Sequence, residues 1–219
     1  MTLPPPLHRW DVSPKEAIGI QKALAAKVRT ETLEHPVRHI AGVDVSIRGD
    51  RFQTAIAVIS YPDLELVEKV TFQGDVPFPY IPGLLSFREM PAILPALAQL
   101  NTVPEVFMTD SQGLAHPRRF GLACHLGVWL GRPCFGVAKT RFIGTHAPLG
   151  MNKGDLVDLV DKEQVIGSVV RTRSNVKPVY VSIGHRITQL EAIELTLGST
   201  TKYKIPEPTR LAHKFSKIL

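Results

Sequence analysis

The chain has 219 residues and a mass of 24.2 kDa, a length typical of one domain that buries a substantial core. With 44% hydrophobic and 21% charged residues, and no apolar stretch of about 18 residues, the composition argues against disordered, fibrous and membrane-spanning classes. The N-terminus lacks the order of a secretion signal, and Cys124 and Cys134 are too few for a disulfide framework. We therefore expect a cytoplasmic protein without a membrane partner, whose two cysteines are reduced core residues.

The net charge of +6 is unevenly distributed along the chain. Residues 1–110 carry a net charge of −3, whereas residues 111–219 carry +9. A basic half of this kind is typical of proteins that bind nucleic acid, but a basic surface without a partner explains the charge equally well. Charge alone leaves both interpretations open.

The first predicted elements are an extended, Pro-rich segment at residues 1–12 and a helix over residues 13–28. Ser13, Pro14 and Glu16 supply the N-cap, the first helical residue and the capping-box partner of this helix. Three strands follow, at residues 38–47, 51–60 and 64–72. The turns between these strands are short, which predicts an antiparallel meander.

Helices and strands alternate in the remainder of the chain. A helix is predicted from about Leu84, interrupted by Pro91 and Pro95. The later strands are predicted at residues 105–110, 133–137, 164–171 and 178–183. The later helices are predicted at residues 121–130, 189–197 and 208–217. This order predicts a single α/β domain over residues 1–219, with helices packed on a mixed central sheet.

Three carboxylates lie at informative positions in these elements. Asp44 lies inside an apolar strand, on the same face as Gly42 and Ser46, where a carboxylate must be solvated, paired or bound to a cation. Glu89 lies on the predicted helix, and Asp110 ends the fourth strand and opens a loop. Taken singly, they have ordinary interpretations as an outward-facing polar residue, a surface glutamate and a turn-capping aspartate.

Together, the three acids match the arrangement of ribonuclease-H-like folds, in which adjacent strands carry two aspartates and a helix brings a glutamate beside them. Clustered carboxylates repel one another unless a divalent cation neutralises them, and their oxygens suit Mg²⁺, with Mn²⁺ as a substitute. Such ions activate water and stabilise charge on a phosphoryl group in transfer. The pattern suggests a ribonuclease-H-like mixed central sheet flanked by helices, carrying a metal-dependent phosphodiesterase site.

Six sequence segments, in order, resemble those of the endonuclease V (deoxyinosine 3′ endonuclease) family of DNA repair. They are AGVDVS at 41–46, PYIPG at 79–83 with SFRE at 86–89, Asp110 with QG at 112–113 and HPRR at 116–119, GVAK at 136–139, GHR at 184–186, and PEPTRLA at 206–212. The resemblance extends from about residue 40 to residue 213, which is nearly the whole chain.

The resemblance implies catalytic roles for five residues, which are Asp44, Glu89, Asp110, Lys139 and His213. Asp44 and Asp110 would bind the metal directly, and Glu89 directly or through water. Lys139 would hold a phosphate or orient the attacking water, and His213 would lie near the metal or the scissile phosphate. Without the resemblance, Lys139 and His213 would be interpreted as surface residues.

The loop at residues 79–83 has features of a wedge that separates two strands of nucleic acid. Its prolines stiffen the backbone, and Tyr80 and Ile81 offer an aromatic ring and an apolar edge beside Pro82. Rigid wedges of this kind suit prying a duplex apart next to an altered base. The alternative is a loop that buries Tyr80 in the core, and the resemblance favours the wedge.

The resemblance further implies a pocket in which backbone groups read a flipped hypoxanthine. Its expected lining is Gly83, Leu85, Gly113, His116 and Gly121. The expected phosphate contacts are Arg118, Arg119 and Arg210. In one departure, Ser111 stands where the family usually has glycine, and its side chain could narrow the pocket, restrict the backbone or add a hydrogen-bond donor.

The implied activity is a Mg²⁺-dependent nick at the second phosphodiester bond 3′ to deoxyinosine, in double- or single-stranded DNA, leaving 3′-hydroxyl and 5′-phosphate ends. One alternative is an endonuclease specific for inosine in RNA, since contacts to a 2′-hydroxyl cannot be located from sequence. The other is a non-catalytic nucleic-acid-binding module, which would gain nothing from three clustered acids. We expect the protein to be a monomer.

Overall fold

A computed structural model describes residues 1–217, within which an eight-stranded mixed sheet carries helices on both faces. The helices are α1 (Pro14–Ala25), α2 (Leu85–Ala98), α3 (Leu122–Leu130), α4 (Gln189–Gly198) and α5 (Glu207–Ser216). The strands are β1 (His39–Arg48), β2 (Arg51–Ser60), β3 (Leu66–Asp75), β4 (Val106–Thr109), β5 (Cys134–Ala138), β6 (Leu156–Asp161), β7 (Gln164–Val170) and β8 (Val179–His185). No helix in this described part of the chain is long and apolar enough to cross a membrane.

The sheet has the strand order β3-β2-β1-β4-β5-β8-β7-β6. Strands β1 to β3 form the predicted antiparallel meander, and β1, β4 and β5 run parallel to one another. In the parallel pair β1–β4, Val43 lies opposite Thr109. The next residues are Asp44 and Asp110, so the two aspartates lie on adjacent strands, which confirms the predicted ribonuclease-H-like arrangement.

The alternation of β1 decides which helices approach Asp44. Ala41 and Val43 point into the core covered by α2 and α3, as the alternation predicts. Gly42 lies on the opposite face against α5, where an added Cβ would lie 2.0 Å from the carbonyl oxygen of Pro208. Because Gly42 has no side chain, the backbone of α5 lies directly on β1 beside Asp44.

One expectation about secondary structure is wrong, and one strand is missing from the predicted elements. Helix α2 continues through Pro91 and Pro95 without interruption, because a row of buried side chains, including Met90 and Ile93, holds it against the sheet. Strand β6, Leu156–Asp161, is absent from the predicted elements. The segment is acidic and its residues are largely exposed or half-buried, so the sequence pattern does not indicate a strand. The segment forms a strand because it pairs with β7 at the edge of the sheet.

The remaining elements lie within a few residues of their predicted positions. Helix α1 begins with the predicted capping box, in which Ser13 and Glu16 each accept a hydrogen bond from the other's backbone N–H. Residues 1–12 contain no helix or strand, in agreement with the expected extended segment. Cys124 and Cys134 are buried free thiols, also as predicted.

Candidate active site

Asp44, Asp110 and His213 meet at the face of the sheet covered by α5. One oxygen of each carboxylate and one ring nitrogen of the histidine all lie within 4.8 Å of one another. The two aspartates come from adjacent parallel strands, and the histidine from the last helix. Two carboxylates and an imidazole at this separation form a donor set that a divalent cation can bridge.

Helix α5 contributes two hydrogen-bond partners to Asp44. The Oδ2 atom of Asp44 lies 3.2 Å from Nδ1 of His213 and accepts a hydrogen bond of 2.6 Å from Oγ of Ser216. Ser46, two residues further along β1, lies 3.0 Å from the same Ser216 oxygen. The face shared by Gly42, Asp44 and Ser46 is therefore the face on which α5 packs.

Lys139 forms an ion pair with Asp110. It follows β5, which is the parallel neighbour of the strand that Asp110 ends. Burial raises the pKa of Asp110, while the hydrogen bond and the positive charge of Lys139 oppose that rise. We call Asp44, Glu89 and Asp110 the acidic centre. Lys139 compensates part of its negative charge.

Glu89 on α2 completes the acidic centre. Burial and the charges of Asp44 and Asp110 raise the pKa of Glu89 to about 8. The charges of both aspartates act on Glu89, although its carboxylate is not part of the close cluster of Asp44, Asp110 and His213. The mutual repulsion and hard oxygen donors of the three carboxylates fit Mg²⁺ or Mn²⁺, which would neutralise the centre.

The loop before α2 exposes the side chain proposed as a wedge. Tyr80 is 68% exposed, so the alternative in which it is buried in the core is wrong. Pro82 is exposed beside it, while Ile81 packs on a small core cluster that includes Phe78 and Phe87. The loop is therefore anchored at Ile81 and presents a free aromatic ring, the geometry that a wedge requires.

A cavity of about 410 Å³ separates this loop from the acidic centre. Its lining includes four of the five predicted pocket residues, which are Gly83, Leu85, His116 and Gly121. Asp110 and Lys139 border the same cavity, so it opens directly onto the acidic centre. The fifth residue, Gly113, lies outside the lining: an added Cβ would meet the carbonyl oxygen of Ile183 at 2.0 Å, so this glycine permits close packing on β8.

Gln21 of α1 holds the cavity wall together. Its Nε2 atom donates to the carbonyl oxygens of Gly83 (3.0 Å) and Phe120 (3.2 Å), and its Oε1 accepts a 2.6 Å hydrogen bond from Arg118. His116 also contacts the Gly83 carbonyl, at 3.0 Å. Burial, together with the charges of Arg118 and Arg119, lowers the pKa of His116 to about 4, so its ring is neutral at pH 7.

The three arginines predicted to contact phosphates all have partners within the protein. Arg118 donates to Gly83 at 2.6 Å and Arg119 pairs with Asp161 at 2.8 Å. Arg210 forms an ion pair with Glu207 one turn earlier on α5. Their contact with phosphates stays a prediction, and Arg118 has a structural role in holding the loop that carries Tyr80.

Ser111 is accommodated without strain where the family usually has glycine. Its backbone lies outside the left-handed region, so no glycine is required there. Its hydroxyl lies 2.7 Å from Oγ1 of Thr109 on the preceding strand. The side chain borders the cavity but is held back toward the strand.

Comparison with known proteins identifies the family. A model of the endonuclease V family matches residues 22–214 of this chain. The chain belongs to the endonuclease V family. Endonuclease V from Nostoc sp. is 47% identical over 212 residues, covering 95% of this chain and 96% of the relative. The non-catalytic alternative is therefore not retained, and the protein is a nuclease that hydrolyses phosphodiester bonds.

Solved structures of endonuclease V have the same fold. The enzyme from Streptomyces avermitilis is 40% identical with a TM-score of 0.90, covering 95% of this chain and 93% of that one. Endonuclease V from Ciona intestinalis, in complex with a 24mer DNA containing an inosine followed by a ribo-adenosine, is 28% identical with a TM-score of 0.83. That comparison covers 93% of this chain and 95% of the Ciona chain.

Two site residues of this endonuclease V chain are not evident from its sequence. Gln21 is a buried polar residue on the apolar face of α1, a pattern that could have signalled a structural hydrogen bond. Ser216 lies three residues after His213, so the two share one face of α5. In both cases the residue acts on a partner more than 60 positions away in the chain, which periodicity alone cannot identify.

Proposed function

We propose that this nuclease is a Mg²⁺-dependent DNA-repair enzyme that nicks inosine-containing DNA. The observation that carries the proposal is the cavity that opens onto an acidic centre and lies beneath the exposed ring of Tyr80. The arrangement suits an enzyme that extrudes one base and hydrolyses the backbone nearby. The inosine-containing DNA bound to the Ciona relative supports deoxyinosine as the substrate.

Asp44 and Asp110 would hold the metal ion directly, and Glu89 directly or through water. Mg²⁺ bound there would supply an activated water and neutralise charge on the phosphate. Lys139 pairs with Asp110 and would offer its remaining N–H groups to a phosphate oxygen. The imidazole of His213 contacts the carboxylate of Asp44 and would lie near the metal or the scissile phosphate.

The cavity and the loop would select the base. The volume of the cavity, about 410 Å³, lies in the range of roughly 300–1,000 Å³ that small-molecule pockets occupy. Tyr80 would stack in the gap left by the extruded base, and backbone groups near Gly83 and Gly121 would read the edge of hypoxanthine. The cut at the second phosphodiester bond 3′ to the lesion is proposed from the family resemblance.

Inosine in RNA is the second candidate substrate. The nucleic acid bound to the Ciona relative has a ribo-adenosine directly after its inosine, so a 2′-hydroxyl is present next to the lesion in that complex. Comparing matched DNA and RNA strands would separate the two candidates, because a 2′-hydroxyl is the feature that distinguishes them.

The direct test is a nicking assay on an end-labelled duplex with one deoxyinosine. We expect one product that ends at the second phosphodiester bond 3′ to the lesion, with Mg²⁺ or Mn²⁺ and not with a chelator. Asp44→Asn should lower the rate at least about 10³-fold, and this variant also controls for contaminating nucleases. Cleavage that persists with a chelator, or equal cleavage of undamaged DNA, would contradict the proposal.

A further inference from the structure

Residues 1–12, the N-terminal strap, lie across α2 and α3 and precede the residues that the family model matches. Met1 and Leu3 pack on the core cluster to which α2 contributes, and the nitrogen of Met1 lies 3.4 Å from the carbonyl oxygen of Ala98, the last residue of α2. Further along, the ring of Trp10 stacks on Trp129 of α3 with centroids 4.9 Å apart. The strap therefore follows α2 from its end back toward its beginning.

His8 connects the strap to the first turn of α2 through a chain of hydrogen bonds. Its Nδ1 atom lies 2.8 Å from the carbonyl oxygen of Arg9, and its Nε2 lies 2.8 Å from Nε2 of His125. The other ring nitrogen of His125 lies 2.9 Å from Oγ of Ser86. His125 is completely buried, so its two contacts, with His8 and with Ser86, replace contacts with water.

In this chain of hydrogen bonds, every donor and acceptor is determined. A carbonyl oxygen can only accept, so Nδ1 of His8 must carry the hydrogen that Arg9 receives. Burial lowers the pKa of both histidines, so both rings are neutral, and Nε2 of His8 is an acceptor. His125 must then donate from its Nε2 and accept at its Nδ1, which leaves the hydroxyl of Ser86 as the donor at the end of the chain.

Ser86 links this chain to the catalytic site. It lies in the first turn of α2, borders the cavity and is 2% exposed. Glu89 lies three residues later, on the same face of the helix. The ring of His8 also contacts Phe87, with centroids 5.4 Å apart. A displacement of His8 would therefore act on the N-terminal turns of α2, which carry Glu89.

We propose that His8 is a positioning residue for the nicking reaction, acting through His125 and Ser86 on the first turn of α2. The inference rests on the proposed function for its kinetic consequence, but the hydrogen-bond chain can be tested without it. The strap would hold α2 in the position that brings Glu89 to Asp44 and Asp110, although no residue of the strap reaches the reacting atoms.

The test compares His8→Phe with His8→Gln in the full chain. Phenylalanine keeps an aromatic ring among its neighbours and lacks the acceptor, whereas the amide oxygen of glutamine can accept from His125. In single-turnover cleavage of the deoxyinosine duplex, we expect His8→Phe to lower the maximal rate about tenfold with the half-saturating enzyme concentration changed less than twofold. His8→Gln should recover most of that loss, and His35→Phe, an exposed control, should match the wild type.

Nitrogen-15 NMR of the histidine rings gives a readout that is independent of activity. We expect the wild type to show His8 protonated at Nδ1 and His125 at Nε2, and we expect His125 to change tautomer in His8→Phe. A wild-type maximal rate in His8→Phe, or equal losses in both variants, would overturn the positioning role. If the wild type failed to nick inosine DNA, the proposed function would fall, while the tautomers would still confirm or contradict the hydrogen-bond chain.

Discussion

The acidic centre and the wall of the adjoining cavity differ in their electrostatics: the groups of the centre repel one another, whereas those of the wall are hydrogen-bonded. In the centre, Asp44, Glu89 and Asp110 repel one another, and the pKa values of Glu89 and Asp110 are raised. In the cavity wall, the carbonyl oxygen of Gly83 accepts hydrogen bonds from Gln21 and Arg118 and also contacts the ring of His116. A bound cation would relieve the repulsion in the centre, whereas the chain itself organises the cavity.

This difference separates the effects of substitutions in the two regions. Removing the carboxylate of Glu89 relieves repulsion, so we expect activity to fall while the metal-free fold becomes more stable. Removing a hydrogen bond from the cavity wall leaves a buried polar group without a partner, so stability and substrate binding fall together. Four experiments, in order of decreasing effect, test this contrast.

Glu89→Gln should show the largest effect. We expect the nicking rate to fall about 10³-fold, because the proposed metal site loses one of its three carboxylates. The free energy of unfolding at pH 8 without metal should rise, because a neutral amide removes the cost of burying a charge and the repulsion between Glu89 and the two aspartates. Chemical denaturation and nicking assays measure the two quantities, with Glu194→Gln at an exposed position of α4 as control. Lower metal-free stability in Glu89→Gln would contradict the contrast.

The stability of the metal-free protein should depend on pH through Glu89. The pKa of Glu89 is about 8 in the folded chain against an ordinary value of 4.5, so the folded state retains a proton that the unfolded state has lost. The free energy of unfolding therefore falls as pH rises from about 4.5 to 8, by at most about 1.4 kcal/mol per pH unit for one proton.

The comparison of wild type with Glu89→Gln isolates this contribution, because other titrating groups are common to both proteins. Denaturation series at several pH values, with a chelator, should show a steeper decline in the wild type than in the variant. Mg²⁺ should reduce the difference in slope by favouring the ionised carboxylate. Parallel slopes without metal would show that Glu89 is not protonated in the folded state.

Gln21→Leu should have an intermediate effect. Leucine fills a similar space but leaves Arg118 without its acceptor, and leaves the carbonyl of Gly83 without one of its donors. We expect the free energy of unfolding to fall by about 1–3 kcal/mol and the binding of inosine DNA to weaken by about tenfold. Equilibrium binding of the labelled duplex, compared with Gln99→Leu at an exposed position, measures the loss. If Gln21→Leu bound the duplex as tightly as the wild type, the shape of the cavity wall would not depend on Gln21.

Ser111→Gly should have the smallest effect. The hydroxyl of Ser111 is engaged with Thr109, and its backbone conformation requires no glycine. We therefore expect the rates on inosine DNA to stay within about twofold of the wild type, with a small loss of stability from backbone freedom. A gain of activity on other deaminated bases would show that Ser111 narrows the cavity after all.

The sequence predicts the acidic centre better than the supports around it. Local alternation determines which face of β1 carries Asp44. Its position beside Asp110 was predicted from the match of the three acids to the ribonuclease-H-like arrangement. The buttressing by Gln21 and Ser216 could not be predicted, because it depends on contacts between distant segments. The continuity of α2 through Pro91 was missed for the same reason, since tertiary packing outweighs the local preference of proline.

The contact between His213 and Asp44 joins positions that are 169 residues apart in the chain. A chain that is still being synthesised has both aspartates long before residue 213 leaves the ribosome, and it lacks the third member of the cluster until α5 packs on Gly42. The three-residue cluster is therefore complete only after the segment that contains α5 has packed onto β1.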